Sequence, residues 1–128
     1  MAAPMILLAA CQSEPLGGPL SIEVAATSPI TALQAVNDAG RRCWTGSGDH
    51  RFRAYRLVPE LDTTAGNPRI LVTEKGREAG RPQLVIESSG NPVKIETYGP
   101  LAHSRLGSRI NADIMRWSSG DKRCAGHG

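Results

Sequence analysis

Aromatic residues are scarce in this chain. Trp44, Phe52, Tyr55, Tyr98 and Trp117 are the whole supply in 128 residues, so any core must be largely aliphatic. No apolar run nears the roughly 18 residues of a membrane-spanning helix; the one at Met5 to Ala10 stops far short. Internal repeats and sustained heptads are absent too, which excludes a solenoid or a long coiled coil.

Recognisable catalytic spacing is also missing. His50, His103 and His127 stand far apart, with no ligand-like interval to Cys or to one another. Ser119-Gly120-Asp121-Lys122 has a Ser-x-x-Lys interval but none of the further Ser and Lys elements of a penicillin-interacting serine enzyme. Gly46-Ser47-Gly48 lacks the lysine, the preceding strand and the following helix of a phosphate loop. Asp49-His50 has the chemistry of half an acid–base pair, but it lies in a glycine-rich turn with no nucleophile at a readable interval. No catalytic residue, metal ligand or cofactor is assigned, and the expectation is a protein that is not an enzyme.

What is present reads as an address followed by one domain. Apolar residues fill Met5 to Ala10, and Leu8-Ala9-Ala10-Cys11 places small residues directly before a cysteine. This stretch resembles the lipobox of bacterial lipoprotein signal peptides, and the later domain resembles small uncharacterised Gram-negative envelope lipoproteins. The resemblance implies cleavage before Cys11, acylation of Cys11, and a domain held in the periplasm by its lipid. Two or three acyl chains make such attachment stable. Gln12, rather than Asp, after the cysteine implies outer-membrane sorting. Residues 1–10 are thus read as signal peptide. Pro15, Gly17, Gly18 and Pro19 make residues 11–27 read as a flexible tether, with only a brief alternation at Leu20, Ile22 and Val24.

With Cys11 taken by lipid, Cys43 and Cys124 remain. An even pair in an oxidising compartment is expected to form a disulfide closing a loop of about 80 residues, worth on the order of 4 kcal/mol in the chain-entropy account.

Residues 28–128 read as a single α+β domain. Ser28-Pro29 supplies an N-cap and a first-turn proline, and Ile30, Leu33, Val36 or Asn37, Gly40 and Cys43 recur at helical spacing, so a helix is expected from about Pro29 to Arg42. Strands are expected at Phe52–Val58, Arg69–Thr73, Gln83–Glu87 and Val93–Tyr98, the last two joined by Ser88-Ser89-Gly90-Asn91-Pro92, a hairpin signal. After Gly99-Pro100, Leu106, Ile110, Ile114 and Trp117 mark a second helical stripe that ends at Ser118-Ser119-Gly120. The expected architecture is a two-layer sandwich: an antiparallel sheet of about four strands, with an N-terminal and a C-terminal helix on one face.

Charge is uneven. Before residue 28 the only charged residues are Glu14 and Glu23, so all fifteen basic residues lie beyond, twelve of them arginine. Arg41, Arg42, Arg51, Arg53 and Arg56 gather across the end of the first helix and the next strand, with Trp44 and Tyr55 among them. Nucleic acid is not the expected partner of such a cluster behind a lipid anchor. The leading expectation is a non-enzymatic envelope lipoprotein that binds a protein or a cell-wall component. The alternatives are an anion-binding module, for lipopolysaccharide or an anionic glycan, that uses the arginine cluster, and an enzyme whose site is scattered through the sequence.

Overall fold

The computed structural model of the chain describes residues 3–4, 17–62 and 64–125. Cys11 and most of the expected signal peptide lie outside them. Seven principal elements follow in order: β1 (Ser21–Val24), α1 (Pro29–Gly40), β2 (Tyr55–Glu60), β3 (Arg69–Glu74), β4 (Leu84–Ser89), β5 (Val93–Tyr98) and α2 (Arg105–Ser118). The strands form one open antiparallel sheet in the order β1-β5-β4-β3-β2.

The sheet therefore has five strands where about four were expected. The extra one, β1, comes from the segment read as a tether, whose residues from Gly17 onward are pinned. Leu20 donates its N–H to Thr97 Oγ1 at 2.8 Å and accepts from Thr97 N at 2.9 Å, and Asn111 Nδ2 donates to the Gly18 carbonyl at 2.7 Å. Gly17 is not a flexible link: a Cβ there would collide with backbone atoms of Ala102, Ser104 and Ser108. The Leu20, Ile22, Val24 alternation was the strand signal. It is short because an edge strand buries one side and makes one set of ladder bonds.

The helices begin where their caps dictate. Ser28 accepts from Thr31 N at 3.1 Å ahead of Pro29, and Ser104 accepts from Gly107 N at 3.1 Å ahead of α2. α1 does not end cleanly at Gly40. Its last turn widens into a π turn over Arg41–Thr45, which closes at Gly46, where a Cβ would strike the Arg41 carbonyl oxygen. The strand expected from Phe52 starts only at Tyr55, because Asp49 accepts from Arg51 N and caps a short 3-10 turn over His50–Phe52. Between β4 and β5 the hairpin forms as its residues indicate, with Gly90 at φ +82° and a cis peptide before Pro92.

Both helices cover one face of the sheet. Ile70, Val72, Leu84, Ile86, Val93 and Ile95 point from the strands into one cluster with Leu33 and Val36 of α1 and Ile110, Ile114 and Trp117 of α2. The few aromatics are concentrated at one end: Trp44 stacks on Phe52 with centroids 5.5 Å apart and meets Trp117 at 5.0 Å. A carboxylate lies against this group. Asp113, fully buried, accepts from Trp44 Nε1 at 2.7 Å and Arg109 Nε at 2.9 Å. Arg116 approaches its other oxygen at 2.9 Å, at an angle that makes the contact an ion pair rather than a hydrogen bond.

The Cys43 and Cys124 sulfurs lie at disulfide distance, with Cα atoms 5.2 Å apart across 81 positions. The segment leading to Cys124 is held by further contacts. Trp117 Nε1 and Arg116 both donate to the Arg123 carbonyl at 3.0 Å, and Arg42 donates to that of Lys122.

Removing one member of a buried charge network leaves the others uncompensated, at a cost of about 3–5 kcal/mol. Asp113→Asn is expected to lower unfolding free energy by about that amount in urea titration, whereas Arg105→Ala, on the exposed side of the same helix, should change it by less than about 0.5 kcal/mol. Equal effects from the two would show that the buried carboxylate has no special structural weight.

Candidate functional site

The five arginines singled out from the sequence do not form one patch. Arg42 reaches the Lys122 carbonyl, and Arg51 is engaged by Asp49, with its guanidinium 3.0 Å from Oδ2. Arg53 is exposed at the end of the 3-10 turn. Arg51 and Arg53 both precede β2, so neither lies on the strand. Arg41 and Arg56 do meet. They line a groove of about 360 Å³ with Thr45, Tyr55, Leu57 and Lys75, at the edge where β2 runs past the π turn. Lys75 escaped sequence reading because it lies about twenty residues away, and only the β2–β3 pairing brings it there; its N–H donates to the Ala54 carbonyl at 2.9 Å.

A second surface lies on the face of the sheet that the helices leave open. Registers align Val58 with Leu71, Leu71 with Val85, and Val85 with Tyr98, giving an unbroken apolar row across β2, β3, β4 and β5. Tyr98 is 43% exposed, Val58 and Leu71 are half-buried, and Val85 at the centre is buried. The adjacent row runs Glu60, Arg69, Glu87, Glu96 across the same strands. Arg69 Nε lies 2.7 Å from Glu60, and this hydrogen bond raises the arginine's pKa; Lys94 lies 3.2 Å from Glu96. Glu23, opposite Lys94 on β1, adds a further acid. Along this flank of the apolar row four carboxylates thus accompany two cations, in a chain whose net charge is +3. On the other flank of the apolar row, Arg56 pairs with Glu78 of the β3–β4 loop at 3.5 Å, and its register partner Thr73 is fully buried.

Two of the groups with catalytic chemistry, Asp49 and Ser119, are engaged structurally. Asp49 spends its carboxylate on the Arg51 N–H and guanidinium and lies 3.6 Å from Arg109, so it is not paired with His50. Ser119 Oγ donates to the Arg116 carbonyl at 2.8 Å as part of the α2 cap, rather than to Lys122. His103 is exposed at the end of a 3-10 turn. Among the described residues no group of three His, Cys, Asp or Glu is arranged to hold a metal. Another concavity, of about 380 Å³ between α1 and the end of α2, is lined by Ala25, Ala32, Ala35 and Trp117 among others. Among the described residues of its lining, Lys122 is the one that carries a charge. Neither a protein family, nor a curated protein, nor a solved structure matches the chain.

The Arg51 hydrogen bond, which outweighs the opposing effect of burial, holds the Asp49 carboxyl at about 2 against its free value of 3.8. A depressed acid contributes stability fully above its unfolded pKa and loses it as pH falls through the folded one. Wild type should therefore exceed Asp49→Asn in urea midpoint near neutrality, and the gap should close as pH falls from 3.8 through about 2. A gap that stays constant across that window would exclude the ion pair as its source.

Proposed function

We propose that this chain is a non-enzymatic binding domain of the bacterial envelope, held at a membrane by acyl chains on Cys11, and that it binds a protein partner through the open face of its sheet. The observation that carries the reading is the apolar row Val58, Leu71, Val85 and Tyr98, continuous across four strands and flanked by carboxylates. Antiparallel sheets commonly leave one face to solvent, and such a face normally alternates polar side chains. An apolar row that ends in the exposed Tyr98, half-buried at Val58 and Leu71 and rimmed by polar side chains, instead has the composition of a contact surface, and tyrosine is a preferred anchor at such sites. The surplus of acid around the band favours a partner that offers basic and apolar side chains together. The Leu8 to Cys11 lipobox and the proximity of Cys43 to Cys124 support the envelope, where thiols oxidise and persist as disulfides.

Two measurements test it. Expressed in a bacterium that processes lipoproteins, the chain should partition into the detergent phase and Cys11→Ala into the aqueous phase; partition of both into the aqueous phase removes the anchor. A photo-crosslinking amino acid placed at position 98 should give a discrete adduct in cells. Leu71→Glu should reduce that adduct about tenfold or more, as expected when a central contact worth about 1.4 kcal/mol or more is lost. The same group at Met115, 52% exposed on α2, is the control. Adducts of equal yield from both positions would discard the open face as the binding surface.

A further inference from the structure

Arg41, Arg56 and Lys75 come from the π turn, β2 and the end of β3, and converge on one groove without matching acid. Glu78 at 3.5 Å from Arg56 is the carboxylate paired there; Arg41 and Lys75 have no ion pair among the described residues. Several other arginines are neutralised in place, Arg69 by Glu60, Arg109 and Arg116 by Asp113, and Arg123 by Asp121, whereas Arg53, Arg81 and Arg105 have no ion pair among the described residues but lie outside the groove. Cations gathered without counter-charge raise the local potential and attract an anion from solution.

The groove also has the shape and donors for one kind of anion. In a π turn the wider ring brings residues four and five apart over one another, so Arg41 and Thr45 can serve the same concavity. Arginine offers a planar fork to a phosphate, lysine a point charge, and the Thr45 and Tyr55 hydroxyls neutral donors. Leu57 supplies an apolar wall, and the volume of about 360 Å³ lies at the small end of ligand sites. That size accepts one phosphate group with a small substituent.

We propose that the groove formed by Arg41, Thr45, Tyr55, Arg56 and Lys75 is a binding site for a phosphate ester, separate from the open face except at Arg56, where the two border each other. The phosphate can belong to a soluble ester or to a lipid headgroup, since the recognising chemistry is the same.

The test uses the full chain with Cys11→Ser, so that no acyl chain contributes. Two probes are titrated at low and at physiological salt: inorganic phosphate, followed by calorimetry, and vesicles of phosphatidylglycerol against vesicles of phosphatidylcholine, followed by sedimentation. Binding of at least one phosphate probe is expected, weakening as salt rises because exposed charges are screened beyond about 8–10 Å. Arg41→Ala with Lys75→Ala should weaken it about tenfold or more, since two charge-assisted contacts are lost. Arg53→Ala with Arg81→Ala removes the same charge from exposed positions outside the groove and should leave affinity within about twofold. Response to free phosphate assigns a soluble ester, and response to phosphatidylglycerol vesicles alone assigns a headgroup. No binding of either probe, or equal loss in the two double variants, overturns the proposal. Crosslinking from position 98 would be unaffected by either result, so failure here is separable from failure of the open-face reading.

Discussion

A single buried carboxylate organises the helical layer. Asp113 has no exposure and is surrounded by the indole N–H of Trp44 and the guanidinium groups of Arg109 and Arg116. Desolvating it is tolerable because these donors replace water. The consequence is positional: the carboxylate fixes the Trp44 ring, the ring stacks on Phe52, and Arg109 lies over Phe52 at 5.9 Å while reaching toward Asp49. One charge thereby ties α2 to the π turn after α1 and to the 3-10 turn before β2. With so few aromatics to fill that end of the core, a polar clasp supplies the order that shape alone would otherwise provide.

The second tie is covalent and acts on the same region. Cys43 belongs to the π turn and Cys124 to the tail after α2, so a bond between them joins the two elements that Asp113 already holds together. The tail is also held by local chemistry: Arg123 forks onto Asp121 at 2.9 and 3.0 Å, and its carbonyl accepts from Trp117 and Arg116. Together these anchors fix Arg41 and Thr45 at the rim of the basic groove, although neither touches the core network itself.

Charge is segregated by the fold rather than by the sequence. The open sheet face gathers Glu23, Glu60, Glu87 and Glu96, each from a different strand, around a hydrophobic row, while the β2 edge gathers Arg41, Arg56 and Lys75. A mildly basic chain thus presents an acidic surface and a basic groove on one small domain. The two proposed sites share only Arg56, which stands where the open face meets that edge.

The elements were legible where local physics decides them. Ser28-Pro29 and the β4–β5 hairpin act within a few residues, and the helical stripe from Leu106 to Trp117 marked the apolar side of α2. The same stripe hid Asp113, although Arg109 and Arg116 stand four residues before and three after it, an interval at which helical side chains meet. The sequence could place the acid beside its arginines but not beneath Trp44, sixty-nine positions away. β1 was missed because a four-residue edge strand gains its meaning from β5, more than seventy residues later. The arginine cluster was proposed from proximity along the chain, yet a 3-10 turn, a tail carbonyl and the β2–β3 register decided which cations face one another. Capping, turn chemistry and periodicity are properties of neighbouring residues, and the sequence alone determined those. Which strand lies at an edge, which face stays open and which charges share a groove depend on pairing across the whole chain, and only the tertiary structure decided them.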